Sequence, residues 1–144
     1  MLEDLQGQVG EVVGVGDWTT IEQDRIQQFA DATGDHQWIH VDEEKAKAGP
    51  FGTTIAHGFL TLSLIPAIAP GVLHEDARMA INYGLDRVRF ISPVPSGSRV
   101  RATSKIQDVK EVAGGVQVKT EITIELEDSE KPACVAEMLT RIYV

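Results

Sequence analysis

Within Gly34-Asp35-His36-Gln37-Trp38-Ile39-His40 a carboxylic acid and an imidazole stand five positions apart, with an amide side chain between them. A second cluster, Ala56-His57-Gly58-Phe59, opens a strongly apolar segment. A carboxylate can orient a water molecule, and an imidazole with an ordinary pKa of about 6.5 can take or give its proton near neutrality. A backbone N–H at a helix start can hold an oxygen on which negative charge develops, and Gly58 offers one without a side chain in the way. Asp35, His40 and Gly58 are therefore the candidate catalytic set, with Gln37, Ser63 and His57 as candidate substrate-binding residues. Each has a plainer alternative. Asp35 can bond its own backbone and shape a turn. His40 can be a satisfied core histidine, His57 can shape the turn before Gly58, and Ser63 can bond back to the Phe59 carbonyl. Gln37 can be a loop residue, His36 reads as surface, and Trp38 as packing.

The surrounding elements must bring these groups together. Thr20 with Gln23 has the pattern of a capping box, and Ile26, Phe29, Ala30 and Thr33 recur at helical spacing. Gly34 is a natural helix terminator, so the stretch from Asp35 to His40 is expected in the loop where that helix stops. Asp42-Glu43-Glu44-Lys45 predicts a short capped helix, broken by Gly49-Pro50-Phe51-Gly52. Phe59-Leu60-Thr61-Leu62-Ser63-Leu64-Ile65 is apolar nearly all round, which predicts a helix wrapped by the rest of the protein and limited by Pro66 and Pro70-Gly71.

The second half is sheet-forming. Val116, Val118, Thr120, Ile122, Ile124 and Leu126 alternate with polar residues, the pattern of a long half-buried strand. Gly114-Gly115 turns the chain back from a strand over 99–109, and a turn over 128–132 leads to a last strand over 133–144. Val88 and Phe90 mark a further strand, closed by Pro93-Val94-Pro95-Ser96-Gly97. Val9 to Val15 predicts a first strand; Gly14-Val15-Gly16, a fragment of a phosphate-loop pattern without its third glycine, reads as a turn. The expectation is one α+β domain over 1–144, an antiparallel meander curled around an apolar helix with its outer face polar.

The chain of 144 residues is long enough to bury a core, and 42% hydrophobic content is ordinary for a globular protein. A net charge of −9 argues against a nucleic-acid partner. Arg87 with Arg89, and Arg99 with Arg101, alternate along strands; they suit a solvated sheet face or, as the alternative, substrate phosphates. Cys134 is the one cysteine, which excludes an intrachain disulfide and a Cys-rich metal site. Met1-Leu2-Glu3-Asp4 is acidic and lacks the plan of a secretion signal, and the stretch from Phe59 to Leu73 is too short and too interrupted to span a bilayer. A cytoplasmic protein with no membrane partner is expected.

The pattern Phe29-Ala30-Asp31-Ala32-Thr33-Gly34-Asp35-x-x-x-Ile39-His40, with Ala46 and Ala48 after it, resembles the signature of MaoC-like (R)-specific enoyl-CoA hydratases. Ile55-Ala56-His57-Gly58-Phe59 followed by Ser63 resembles the family's next block. The resemblance implies the hotdog fold, an antiparallel sheet wrapped around a central helix. It implies reversible hydration of a trans-2-enoyl thioester to the (R)-3-hydroxyacyl thioester, with Asp35 and His40 as the acid–imidazole pair and the Gly58 N–H on the thioester carbonyl. Ser63 would support the site, and a homodimer or higher homo-oligomer would form. No cofactor or metal is implied beyond the coenzyme A or acyl carrier thioester of the substrate itself. The family commonly has Asn-Pro where this chain has Gln37-Trp38, which keeps the amide and removes a fixed φ. Phe59, Leu60 and Leu64 would line an acyl tunnel. The competing readings are a hotdog thioesterase, a non-catalytic acyl-thioester binding module, and a metal-dependent hydrolase built on Asp35, His36, His40 and His57.

Overall fold

The computed structural model describes residues 1–144, and its organising element is the period-two segment near the C-terminus. That segment is β5 (Gly115–Leu126), with Val116, Val118, Ile122 and Ile124 on the buried face. It lies between β4 (Arg99–Val112) and β6 (Cys134–Tyr143), antiparallel to both, which is the expected meander. The full sheet has the order β1-β4-β5-β6-β3, with β1 (Val12–Val15) and β3 (Met79–Phe90) at its edges and β2 (Thr19–Thr20) paired to the start of β4. Two strand expectations are corrected. β3 pairs with β6 and not with β4, and it begins at Met79, well before Val88 and Phe90. Met79, Ile81, Tyr83 and Leu85 alternate with Ala80, Asn82, Gly84 and Asp86, but the register shifts between Leu85 and Arg87, so Val88 and Phe90 continue the alternation out of phase and mark only the end of the strand. Gly14-Val15 is part of β1 and not a turn.

The apolar stretch after Gly58 forms two short helices, α5 (Gly58–Ser63) and α6 (Ile65–Ile68), in place of one continuous helix. Pro66 sits in the first turn of α6, where its missing N–H has no helical partner to lose. Leu60, Leu64, Ile65 and Ile68 pack on Val100, Ala102, Ile122, Ile124 and Ala136 of the inner sheet face. The expectation of burial on every side is corrected: Phe59 is 68% exposed, and Ser63 and Pro66 also face outward.

A second cluster closes the other end of the sheet, where Leu5 of α1 (Leu2–Gln6) packs on Ile106, Val109, Val116, Val118 and Ile142. Burying one leucine contributes about 2 kcal/mol, which anchors a helix far too short to persist alone. On the outer face Arg101 pairs with Glu125 and Arg99 with Glu127, and both guanidinium groups lie over the Trp18 ring. Those two arginines are neutralised by the neighbouring strand, in line with a solvated face. Cys134 is fully buried, which pushes its thiol up to about 11 and leaves it unreactive at neutral pH. No helix is long and apolar enough to cross a membrane.

Candidate active site

The acid–imidazole segment is held by α2 (Gln23–Thr33), but not through the expected capping box. Glu22 is the N-cap without a side-chain bond, and Thr20 belongs to β2. Gln23 turns inward instead: its Nε2 donates to the His40 carbonyl at 2.8 Å, and its Oε1 accepts from the Thr54 hydroxyl at 2.6 Å. Gly34 ends α2 at φ 87°, a left-handed conformation that favours glycine. Asp35 follows in an exposed loop, where its Oδ1 accepts the Gln37 N–H at 3.3 Å, so the turn-shaping role open from sequence is present alongside any chemical one. His40 lies on α3 (Trp38–Val41), a single helical turn where a loop was expected. α4 (Glu43–Lys47) is capped by Asp42 as expected, with Oδ1 accepting the Lys45 N–H at 3.0 Å.

His40 is 6% exposed, and its Nδ1 lies 2.7 Å from the Ile55 carbonyl. A carbonyl only accepts, so Nδ1 carries the hydrogen and Nε2 keeps its lone pair. Burial lowers the His40 pKa from its ordinary value; the Ile55 bond opposes this, His57 lowers it further, and Asp35 opposes again. The net direction is downward, so the ring is neutral at pH 7 with Nε2 free to act as a base.

His57 lies beneath it, 2% exposed, with ring centroids 3.8 Å apart and an interplanar angle of 24°. Its Nε2 donates to the Asp35 carbonyl at 2.9 Å, and its Nδ1 is buried with no partner. Gly58 is the first residue of α5, and its N–H makes no hydrogen bond to the protein. A Cβ on Gly58 would lie 2.8 Å from the Phe90 ring. Gly58 and His40 share a cavity of about 300 Å³ whose walls include Phe51, Thr61, Phe90 and Val94.

Side-chain donor atoms of Asp35, His40 and His57 all lie within 4.8 Å of one another. Asp35 joins this group from the exposed loop and does not line the cavity; His57 is sealed behind it. The remaining candidates stand apart. Gln37 is exposed at the N-cap of α3. Ser63 is exposed, bonds to the Leu60 carbonyl at 2.8 Å and not to Phe59, and borders a different cavity with Tyr83, Leu85 and Met138. His36 is exposed on Asp31 at 3.0 Å. Trp38 packs on Gly49 and under the Lys45 ammonium. Leu60 and Leu64 belong to the core and do not line the cavity. Sequence reasoning takes Gln23 for a capping residue and Phe90 for a strand residue and passes over Thr54, so none of the three is placed at the site beforehand.

The three donors near 4.8 Å invite a metal, but the two imidazoles are stacked. In-plane lone pairs on near-parallel rings run side by side and do not converge on one ion, so the geometry fits a proton-transfer site better than a chelate.

The MaoC like domain matches residues 4–127. The chain is 56% identical over 140 residues to the 3-hydroxyacyl-thioester dehydratase Z of Mycobacterium tuberculosis (strain ATCC 25618 / H37Rv), covering 96% of this chain and 93% of that protein. It is 45% identical over 145 residues to the Nodulation protein N of Rhizobium leguminosarum bv. viciae, covering 98% and 90% respectively. The solved (R)-hydratase from A. caviae involved in PHA biosynthesis superposes with a TM-score of 0.74 at 21% identity, over 92% of this chain and 94% of that one, and so has the same hotdog fold. With the family domain matched over most of its length, this chain belongs to the MaoC-like dehydratase family.

Proposed function

We propose that this protein is a hydro-lyase of acyl thioesters, interconverting a trans-2-enoyl thioester and the (R)-3-hydroxyacyl thioester. The observation that carries the reading is the meeting of the Asp35 carboxylate with a neutral His40, whose bare Nε2 shares its surroundings with the free Gly58 N–H. Kinship to a 3-hydroxyacyl-thioester dehydratase supports the substrate class. In the hydration direction Asp35 orients one water, His40 Nε2 removes its proton as oxygen attacks C3, and that proton returns to C2. The Gly58 N–H holds the thioester oxygen as it gains enolate charge; one such donor contributes about 3–4 kcal/mol in a site sheltered from water.

The reaction as proposed uses no metal or prosthetic group. The test is loss of enoyl absorbance across several acyl-chain lengths, with chiral analysis of the product, before and after exhaustive chelation. Unchanged activity giving the (R)-hydroxyacyl thioester is expected. Release of free thiol in place of hydration, or activity abolished by chelation and restored by metal, contradicts it.

We also propose that the protein is a homodimer in the cytoplasm. β3 is an unprotected twelve-residue sheet edge, and Met79, Ile81, Tyr83 and Leu85 on it are each 43–54% exposed. Such an edge pairs with another chain unless it is blocked. Edge-to-edge pairing of two β3 strands would cover it, and light scattering is expected to give twice the chain mass. A monomer at micromolar concentration contradicts this.

A further inference from the structure

His57 is buried and does not line the cavity, yet it joins the two halves of the site. Residues 35–37 make one long-range hydrogen bond, from His57 Nε2 to the Asp35 carbonyl. Two further bonds tie the same strands of chain: Ile55 N–H to the Ile39 carbonyl at 3.0 Å, and His40 Nδ1–H to the Ile55 carbonyl. The segment from Ile55 to Gly58 is thus laced to the segment from Asp35 to His40, and His57 is the link at the acid's end. Its own position is set from several sides. The ring lies against His40 and, tilted, against Phe29 at 4.9 Å; its backbone carbonyl accepts the Thr61 N–H at 3.1 Å inside the first turn of α5.

We propose that His57 is a positioning residue, whose Nε2–H bond to the Asp35 backbone fixes the spacing between the Asp35 carboxylate and the Gly58 N–H. This rests on the hydro-lyase reading above. The bond requires the Nε2–H tautomer, which leaves Nδ1 as a buried lone pair without a donor. Asp35 and His57 are the titratable groups whose charges act on His40.

The test exploits side-chain reach. In His57→Gln the amide nitrogen can take the place of Nε2 and keep the bond; in His57→Asn it sits one methylene short; His57→Phe keeps the stack and loses the donor. Displacing a reacting group by about an ångström costs about 10²-fold in rate. The Asn and Phe variants are expected to lose kcat by about that factor with KM within about twofold, and Gln to recover most of the loss. Rates are referred to the folded fraction measured by circular dichroism; if the Phe variant does not fold, the Gln–Asn comparison decides. Equal kcat for Gln and Asn, or a change in KM alone, overturns the proposal. Wild-type protein without hydratase activity would instead sink the hydro-lyase reading, so the two failures are distinguishable.

Discussion

Asp35→Asn and His40→Gln are each expected to lower kcat by about 10²–10⁴-fold, the usual range for removing a group that moves or orients a proton. Asp35 is the cleaner of the two. It is exposed, and its native hydrogen bond accepts from the Gln37 N–H, which the Asn carbonyl oxygen can retain. The fold should therefore be unchanged while the negative charge is lost. His40→Gln also disturbs the buried bond to the Ile55 carbonyl, so a stability loss of about 1–3 kcal/mol is expected beside the rate loss. The double variant should be little slower than the worse single one, because two groups acting on one water fail together. The pH profile supplies an independent check. With neutral His40 as the proposed base and its pKa lowered by burial, the acid limb of kcat/KM is expected to inflect below about 6.5 and to be absent in His40→Gln. The same shift links to stability. The folded state resists the proton that the unfolded state accepts, so stability falls as pH drops below about 6.5 and levels off below the folded pKa. Near-native rates in both single variants would contradict the assignment.

Gly58→Ala carries the second large effect. The added methyl would meet the face of Phe90, at 2.8 Å from one ring carbon and 2.9 Å from the carbon that joins the ring to its side chain, so the ring tip alone cannot give way. Phe90 is 46% exposed and is packed edge-on against Phe59 at 5.8 Å, so it can swing outward only by breaking that contact. Either α5 shifts, moving the Gly58 N–H off the thioester oxygen, or Phe90 leaves the cavity wall. A loss of kcat of about 10²–10³-fold is expected, the size seen on removing one oxyanion donor. Phe90→Ala placed in the same chain should restore much of it by making room. A double-mutant cycle with no coupling between positions 58 and 90 would show that the contact does not constrain the donor.

Much of this arrangement is legible in the residues themselves. Gly34 stops α2 and places Asp35, Asp42 caps α4, and the alternation of β5 reports its two faces directly. The missed features are those where local pattern and tertiary use diverge. Gln23 suits a capping box by spacing, yet the Thr54 hydroxyl and the His40 carbonyl take its amide. Phe59 through Ile65 is apolar without a period, so the pattern could not tell that Phe59 faces outward or that the helix divides at Leu64. β3 alternates from Met79 to Leu85, but its register shifts between Leu85 and Arg87, so the pattern does not run unbroken back from Val88 and Phe90. At the site, Asp35 and His40 are visible as a spaced pair. The stacked His57 with its bond to the Asp35 backbone depends on residues 22 positions apart and has no local signature.

The central claim is that Asp35 and His40 act on one oxygen atom next to the carbonyl that Gly58 holds. Its most direct test is a crystal structure of the Asp35→Asn variant with a bound (R)-3-hydroxyacyl thioester. The substrate hydroxyl is expected within hydrogen-bond distance of both the amide introduced at position 35 and His40 Nε2, and the thioester oxygen on the Gly58 N–H. A hydroxyl group seated away from His40, or a thioester oxygen bound elsewhere, would contradict it.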